Sequence, residues 1–188
     1  MKDINLFKKN NSLYFKIVRS KKDLSSEDGC EGYLIESSEA EARRIIESLK
    51  AQKIKKKIAF VGGDDSFNRR ALEKLKIDYL VSPEAKTGFD TLKQRDSGLN
   101  HVTAKIATKN KIEIVFDIGE ISKLEGKDLA IRLEKIIQNI KIVRRAKCSI
   151  KIASFGKDKK EVVSEISRRS FGVSLGMSSV QSRDCVGF

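Results

Sequence analysis

Apolar positions along this chain gather in short blocks that alternate with longer amphipathic stretches. Leu13 to Val18 and Gly32 to Glu36 are apolar runs of strand length, separated by the polar residues 19–31, and both read as strands. After Ser37-Ser38, which can cap a helix, Glu39 to Lys53 places Ala42, Ile45, Ile46 and Leu49 at helical spacing with charges opposite. Lys57 to Val61 reads as a strand ending in Gly62-Gly63-Asp64-Asp65, followed by a helix over Ser66 to Leu75. The rhythm continues with strand Ile77 to Val81, helix Gly98 to Asn110, strand Lys111 to Ile118, helix Lys127 to Ala146, strand Ser149 to Ala153 and helix Lys160 to Arg169. Repeated strand–helix units predict a mostly parallel α/β sheet. Two architectures satisfy that pattern, a doubly wound sheet and a (β/α) barrel, complete or shortened, and periodicity does not choose between them.

At 188 residues the chain fits one domain, 1–188, with 178–188 as a short C-terminal tail. It has no internal repeat or Pro/Gly-rich linker, and Pro83 is its single proline. Cys30, Cys148 and Cys185 lie too far apart for a disulfide framework or a zinc knuckle, so a reducing, cytoplasmic setting is expected. No apolar run is long enough to span a bilayer, and residues 1–11 are polar, so neither a membrane span nor secretion is expected.

Charge changes the picture. The chain carries 39 Lys and Arg against 26 Asp and Glu, a formal net charge of +13, which suits a polyanionic partner, nucleic acid above all. Aromatic residues are only 6% and Trp is absent, so stacking on bases is not indicated, and recognition of RNA backbone and shape is. Two basic clusters stand out: Lys50, Lys53, Lys55, Lys56 and Lys57, and Lys141, Arg144, Arg145, Lys147 and Lys151, the second without an intervening acid and the better RNA candidate. In the helix from Lys127 the buried stripe is Leu129, Leu133, Ile136, Ile137, Ile140 and Val143, which leaves Arg132, Lys135 and Asn139 on another face, either reaching phosphates or simply solvated. In the helix from Gly98, Ser97 reads as the N-cap and Leu99, Val102 and Ile106 as the apolar stripe, with Asn100, His101 and Lys105 off it. The first turn of that helix, with Arg95 upstream, offers an anion site; the alternative is that Asn100 and His101 tie the loop to the body of the fold.

Candidate catalytic chemistry is thin. With His101 the only histidine, a multi-histidine metal site is excluded, and a carboxylate-only site would have to use Asp64, Asp65, Glu84 or Asp117. Asp64 and Asp65 follow a strand and precede a helix, where capping is the commoner role, and Glu84 and Asp117 can pair with neighbouring lysines. No Gly-x-Ser-x-Gly elbow is present, and Gly62-Gly63 lacks the spacing of a Walker or dinucleotide loop, so no catalytic residue is assigned.

Three strings carry a family resemblance. Asn68-Arg69-Arg70-Ala71-Leu72-Glu73, Ile77-Asp78-Tyr79-Leu80-Val81-Ser82-Pro83, and Arg95-Asp96-Ser97-Gly98-Leu99-Asn100-His101-Val102 followed by Ala104 and Ala107 resemble protein component 3 of archaeal ribonuclease P, a relative of the eukaryotic thirty-kilodalton subunit. The similarity runs from about Lys57 to Met177. It implies a TIM-barrel-like fold, PHP-like but without that phosphoesterase superfamily's histidine metal ligands. It further implies a subunit of the ribonucleoprotein that removes the 5′ leader of precursor tRNA, with the RNA subunit and its Mg2+ performing the hydrolysis. The expected partners are ribonuclease P RNA, a small α/β ribonuclease P protein and other ribonuclease P proteins, and, indirectly, precursor tRNA. The resemblance carries over Arg69, Arg70 and Arg95 through His101 as RNA-contact candidates; Arg132, Arg144 and Arg145 join them on charge and position, with Lys105 and Lys147. A metal-dependent phosphoesterase of the same barrel class and a general RNA-binding assembly factor are the alternatives.

Overall fold

The computed structural model of the chain describes residues 2–9, 12–24, 29–87 and 96–188. Seven strands, β1 (Asp3–Asn5), β2 (Ser12–Val18), β3 (Gly32–Ile35), β4 (Lys57–Val61), β5 (Tyr79–Val81), β6 (Glu113–Asp117) and β7 (Ile150–Ala153), are all parallel and neighbour one another in sequence order. The helices are α1 (Glu39–Ala51), α2 (Asp65–Lys74), α3 (His101–Asn110), the single turn α4 (Ile118–Ile121), α5 (Gly126–Ala146), α6 (Glu165–Ser174) and α7 (Ser179–Asp184). The ends of the sheet meet: the Leu6 N–H donates to Gly156 O at 2.8 Å and the Phe155 N–H to Ile4 O at 2.9 Å, so the sheet curls into a barrel and the doubly wound alternative is eliminated.

Alternation along each strand sorts side chains into two cores. In β4, Ala59 and Val61 face the barrel interior, while Ile58 and Phe60 face the helices. The interior holds Phe15, Leu34, Ala59, Tyr79, Val81, Val115 and Phe155, and the outer layer packs Phe60, Leu80, Ile114 and Phe116 against apolar stripes such as Ile45 and Leu49 of α1 and Ile136, Ile140 and Val143 of α5. Gly32 is required by this packing, because a Cβ there would collide with the Phe15 ring that fills the narrow interior.

The seam between β1 and β7 carries a buried charge pair. The Arg168 guanidinium, 2% exposed, lies 3.1 Å from Asp3 Oδ1 and donates to Ile152 O at 2.8 Å. The same carboxylate oxygen accepts the Ser154 N–H at 3.1 Å, which ties α6, β1 and the end of β7 together. Burial pushes the Asp3 carboxyl up, and Arg168 opposes that shift.

Several expectations shift. β1 has no counterpart in the sequence pattern, because a three-residue strand flanked by Asp3 and Asn5 has too few apolar positions to show a period. The helix expected over Lys160 to Arg169 starts later, at Glu165: Asp158 caps a 3-10 turn over Lys159–Glu161, and Ser164 Oγ accepts the Ser167 N–H at 3.0 Å to start α6. The helix expected over Gly98 to Asn110 starts at His101, and its N-cap is Asn100 rather than Ser97. Residues 178–188 fold back: α7 is followed by Cys185 and Val186, both fully buried, and the Phe188 ring meets Tyr79 edge-on at 5.8 Å at the strand-start end of the barrel.

Candidate functional site

Barrels of this kind place chemistry at the end where the strands finish. Here that mouth is a cavity of about 320 Å³, with Leu34, Val81 and Phe155 at its base and charged groups around its rim. Two ion pairs span the rim: Arg19 pairs with Glu36 at 2.8 Å and Lys123 with Glu161 at 2.7 Å. The four acids that a carboxylate metal site would need are dispersed among other tasks. Asp64 Oδ1 caps α2 by accepting the Phe67 N–H at 2.7 Å, and Asp65 accepts from Asn100 Nδ2 at 3.4 Å. Asp117 caps α4 through the Glu120 N–H at 3.0 Å, and burial pushes its carboxyl up to about 7. Glu84 is wholly buried, 3.4 Å from the Arg132 guanidinium. Among the described residues no three or more His, Cys, Asp or Glu side chains come together as a metal site would require.

Glu84 has a measurable consequence. Desolvation pushes its carboxyl up to about 7, against the attraction of Arg132. The folded state therefore holds this proton more tightly than the unfolded chain, whose carboxyl titrates near 4.5. Stability from this group is fully present below that lower value and is lost as pH rises through about 7. Glu84→Gln is expected to flatten the fall in stability between about pH 5 and 8 by on the order of 2 kcal/mol, read from urea titrations across pH. An unchanged slope would mean that Glu84 stays ionised.

The strings that marked the family in the sequence converge on one buried clasp beside the mouth. Asn68, on α2 and fully buried, donates from Nδ2 to Pro83 O at 2.9 Å, Gly98 O at 3.0 Å and Gly63 O at 3.1 Å, and its Oδ1 accepts the Gly63 N–H at 2.8 Å. One side chain thus joins the loops that follow β4 and β5 to the turn preceding α3. Gly98 has φ +73° and lies against Pro83 O so closely that any Cβ would collide with that carbonyl. On the other side, Asn139 Nδ2 of α5 donates to Ser97 O at 2.8 Å. Asn100 closes the arrangement: its Oδ1 accepts the Val102 and Thr103 N–H groups at 2.9 and 3.0 Å, which satisfies donors that a phosphate in the first turn would otherwise take. Asn100 Nδ2 also donates to Asp65 Oδ1 of α2 at 3.4 Å, which ties this turn to its neighbour.

This geometry overturns the assignment of one face of α5 to solvent and RNA. Lys135 and Asn139 are buried, and Lys135 Nζ donates to Thr87 Oγ1 at 2.6 Å. Arg132, 11% exposed, lies between Glu84 and Glu120 as an internal counter-charge and is not free to meet a phosphate. The apolar stripe was legible, but the flank beside it meets Glu84, Thr87 and Ser97 instead of water. In α3 the buried face is Thr103, Ala104 and Ala107, while Val102 of the expected stripe is 44% exposed.

The remaining candidates lie on the surface, apart from Arg95, which is outside the described residues. His101 and Lys105 are exposed on α3. Arg69 pairs with Glu73 at 2.9 Å and Arg70 with Glu39 at 2.8 Å, which leaves less of their charge for an outside partner. Arg144 donates to Gln181 Oε1 at 2.8 Å and to Gly176 O, anchoring α7, while Arg145 and Lys147 are exposed near the end of α5. The structural features that sequence reasoning missed are the Asn68 clasp and the buried Arg168 pair, neither of which left a readable local signal.

No family model matches the chain. Its similarity to known proteins nevertheless falls on one kind. Ribonuclease P protein component 3 of Thermococcus gammatolerans is 27% identical over 144 residues, 77% of this chain and 64% of that protein. The component 3 proteins of Methanococcus maripaludis strain C7 and Methanococcoides burtonii are 30% identical over 97 residues and 39% over 69, covering 52% and 37% of this chain and 39% and 25% of theirs. The chain is similar to ribonuclease P protein component 3. It spans less than two thirds of the length of these component 3 relatives.

The solved structures agree on the fold. A chain in the cryo-electron-microscopy structure of archaeal ribonuclease P with mature tRNA matches with a TM-score of 0.72 and 19% identity, over 98% of this chain and 86% of that one. An amidohydrolase matches with a TM-score of 0.52 and 12% identity, over 92% of this chain and 40% of that one, so the barrel is of a kind also used by hydrolases. The component 3 strings therefore have a structural content in this chain: Asn68, Pro83 and Gly98, one from each string, meet in the clasp. No helix among the described residues is long and apolar enough to cross a membrane.

Proposed function

We propose that this chain is a protein subunit of ribonuclease P that supports the RNA in removing the 5′ leader from precursor tRNA. The observation that carries the proposal is the component 3 similarity across 77% of the chain. The barrel supports it: the strand-end acids are engaged in caps and a buried pair rather than gathered for catalysis. In this reading the RNA and its magnesium ions perform the hydrolysis. The protein, with a net charge of +13 and a small α/β partner protein beside it, offsets phosphate repulsion and holds the RNA in its active shape.

The test is 5′-leader cleavage of precursor tRNA at limiting magnesium by the cognate RNA and the small partner protein, with and without this chain. Cleavage is expected to rise severalfold only when RNA and chain are both present. No stimulation in the full mixture overturns the subunit reading, and cleavage by the protein alone that Asp64→Asn abolishes would establish the phosphoesterase alternative instead.

A further inference from the structure

Helices of the barrel run opposite to the strands, so their C-termini gather at the strand-start end, away from the mouth. There the two basic clusters, distant in sequence, meet in one cleft of about 350 Å³, whose lining includes Lys57 of the first, Lys147 of the second and Lys111 between them. The acids in the cleft are already engaged. Asp78 takes the Lys57 ammonium at 2.7 Å and the Ile58 N–H at 2.8 Å, and Glu113 accepts from Ser149 Oγ at 2.5 Å with Lys151 at 3.9 Å. Neither Lys111 nor Lys147 forms a salt bridge with a carboxylate among the described residues.

The backbone adds a second observation. Lys111 and Lys147 end α3 and α5 in the left-handed conformation, with φ of 57° and 55°, and Lys53, just past the end of α1, repeats it with φ 53°. Glycine or asparagine adopts this conformation with less strain and is the usual choice at a helix end. Lysine at all three ends puts three ammonium groups at the same end of the barrel, where helix dipoles hold cations but no internal carboxylate neutralises Lys111 or Lys147.

We propose that the strand-start end of the barrel is the RNA-binding face, with Lys111 and Lys147 in the cleft as contacts to backbone phosphates and Lys53 extending the track. The inference rests on the ribonuclease P reading and moves the RNA contact from α5's inner flank, where Arg132 and Lys135 are engaged internally, to the helix ends. An ammonium from each of two helices flanking one cleft suits consecutive phosphates of a structured RNA, and the scarcity of aromatic side chains suits recognition without base stacking.

The test measures binding of the whole chain, with its small partner protein, to the cognate ribonuclease P RNA over a salt series. The Lys111→Gly/Lys147→Gly double variant is expected to lower the slope of log affinity against log salt by about two and to weaken binding roughly 50-fold near 0.1 M salt. Its melting temperature is expected to stay the same or rise, because glycine relieves the left-handed strain, whereas lysines that served only the helix dipoles would lower stability and leave the slope alone. The Lys111→Arg/Lys147→Arg pair is expected to keep the slope. An unchanged slope in the glycine variant while wild-type chain still stimulates cleavage overturns this face and leaves the subunit reading standing. Failure of the wild-type chain both to bind the RNA and to stimulate cleavage overturns both. Loss of partner-protein binding with an intact RNA slope overturns the proposal in favour of a protein contact at this end.

Discussion

Asn68→Ala is expected to destabilise the protein by about 3–5 kcal/mol, a range that breaking a buried polar network can reach. The side chain makes four hydrogen bonds inside the protein, and alanine would leave Pro83 O, Gly98 O and the Gly63 N–H short of partners in a site closed to water. Each such buried group costs on the order of 1–3 kcal/mol unless the loops part and admit water, so the loss is shared between stability and loop order. Urea denaturation gives the free energy, and hydrogen exchange at Gly63 and in the first turn of α3 reports the loosening. Asn68→Asp is not a mild alternative, because it replaces the donating amide with a second acceptor facing the Pro83 and Gly98 carbonyls. A loss below about 1 kcal/mol in Asn68→Ala would mean that the three loops are held by their own turns and the clasp is incidental.

The second large effect is expected at the barrel seam. Arg168→Met keeps most of the side-chain volume but leaves Asp3 buried beside Ser154 without its counter-charge, and removing one partner of a buried pair typically costs about 3–5 kcal/mol. The sign with pH follows from Asp3. Its carboxyl already titrates above the ordinary aspartate value through burial, and losing Arg168 raises it further. A raised carboxyl contributes stability that is fully present below the unfolded value, 3.8, and is lost as pH rises through the folded one. The variant's deficit should therefore be largest at neutral pH and shrink toward pH 4. Combining Arg168→Met with Asp3→Asn should recover part of the loss, since a neutral amide tolerates the site better than an unpaired carboxylate. Additive losses with no dependence on pH would show that Arg168 acts there by packing alone.

Both residues show where sequence reasoning stops. Arg168 sits in a segment with the composition of a solvated helix, and nothing local distinguishes it from half-buried Arg169 one position later. Asn68 lay inside a recognisable string, but which carbonyls it meets depends on loops 15 and 30 residues away. Arg132, Lys135 and Asn139 were misassigned for the same reason: a 3.6-residue period marks the apolar stripe of α5 but does not say whether its flank faces water or another loop.

What the sequence by itself determined was the succession of parallel strand–helix units from β2 to α5, the basic excess and the family resemblance, because apolar period and composition are properties of neighbouring residues. Closure of the barrel, the engagement of its strand-end acids, the burial of Arg132 and Arg168, and the meeting of Lys57, Lys111 and Lys147 in one cleft were decided only by the tertiary structure. Each of these depends on which distant segments come into contact and on how much water they exclude, and a charge titrates and pairs according to those surroundings rather than its place in the chain.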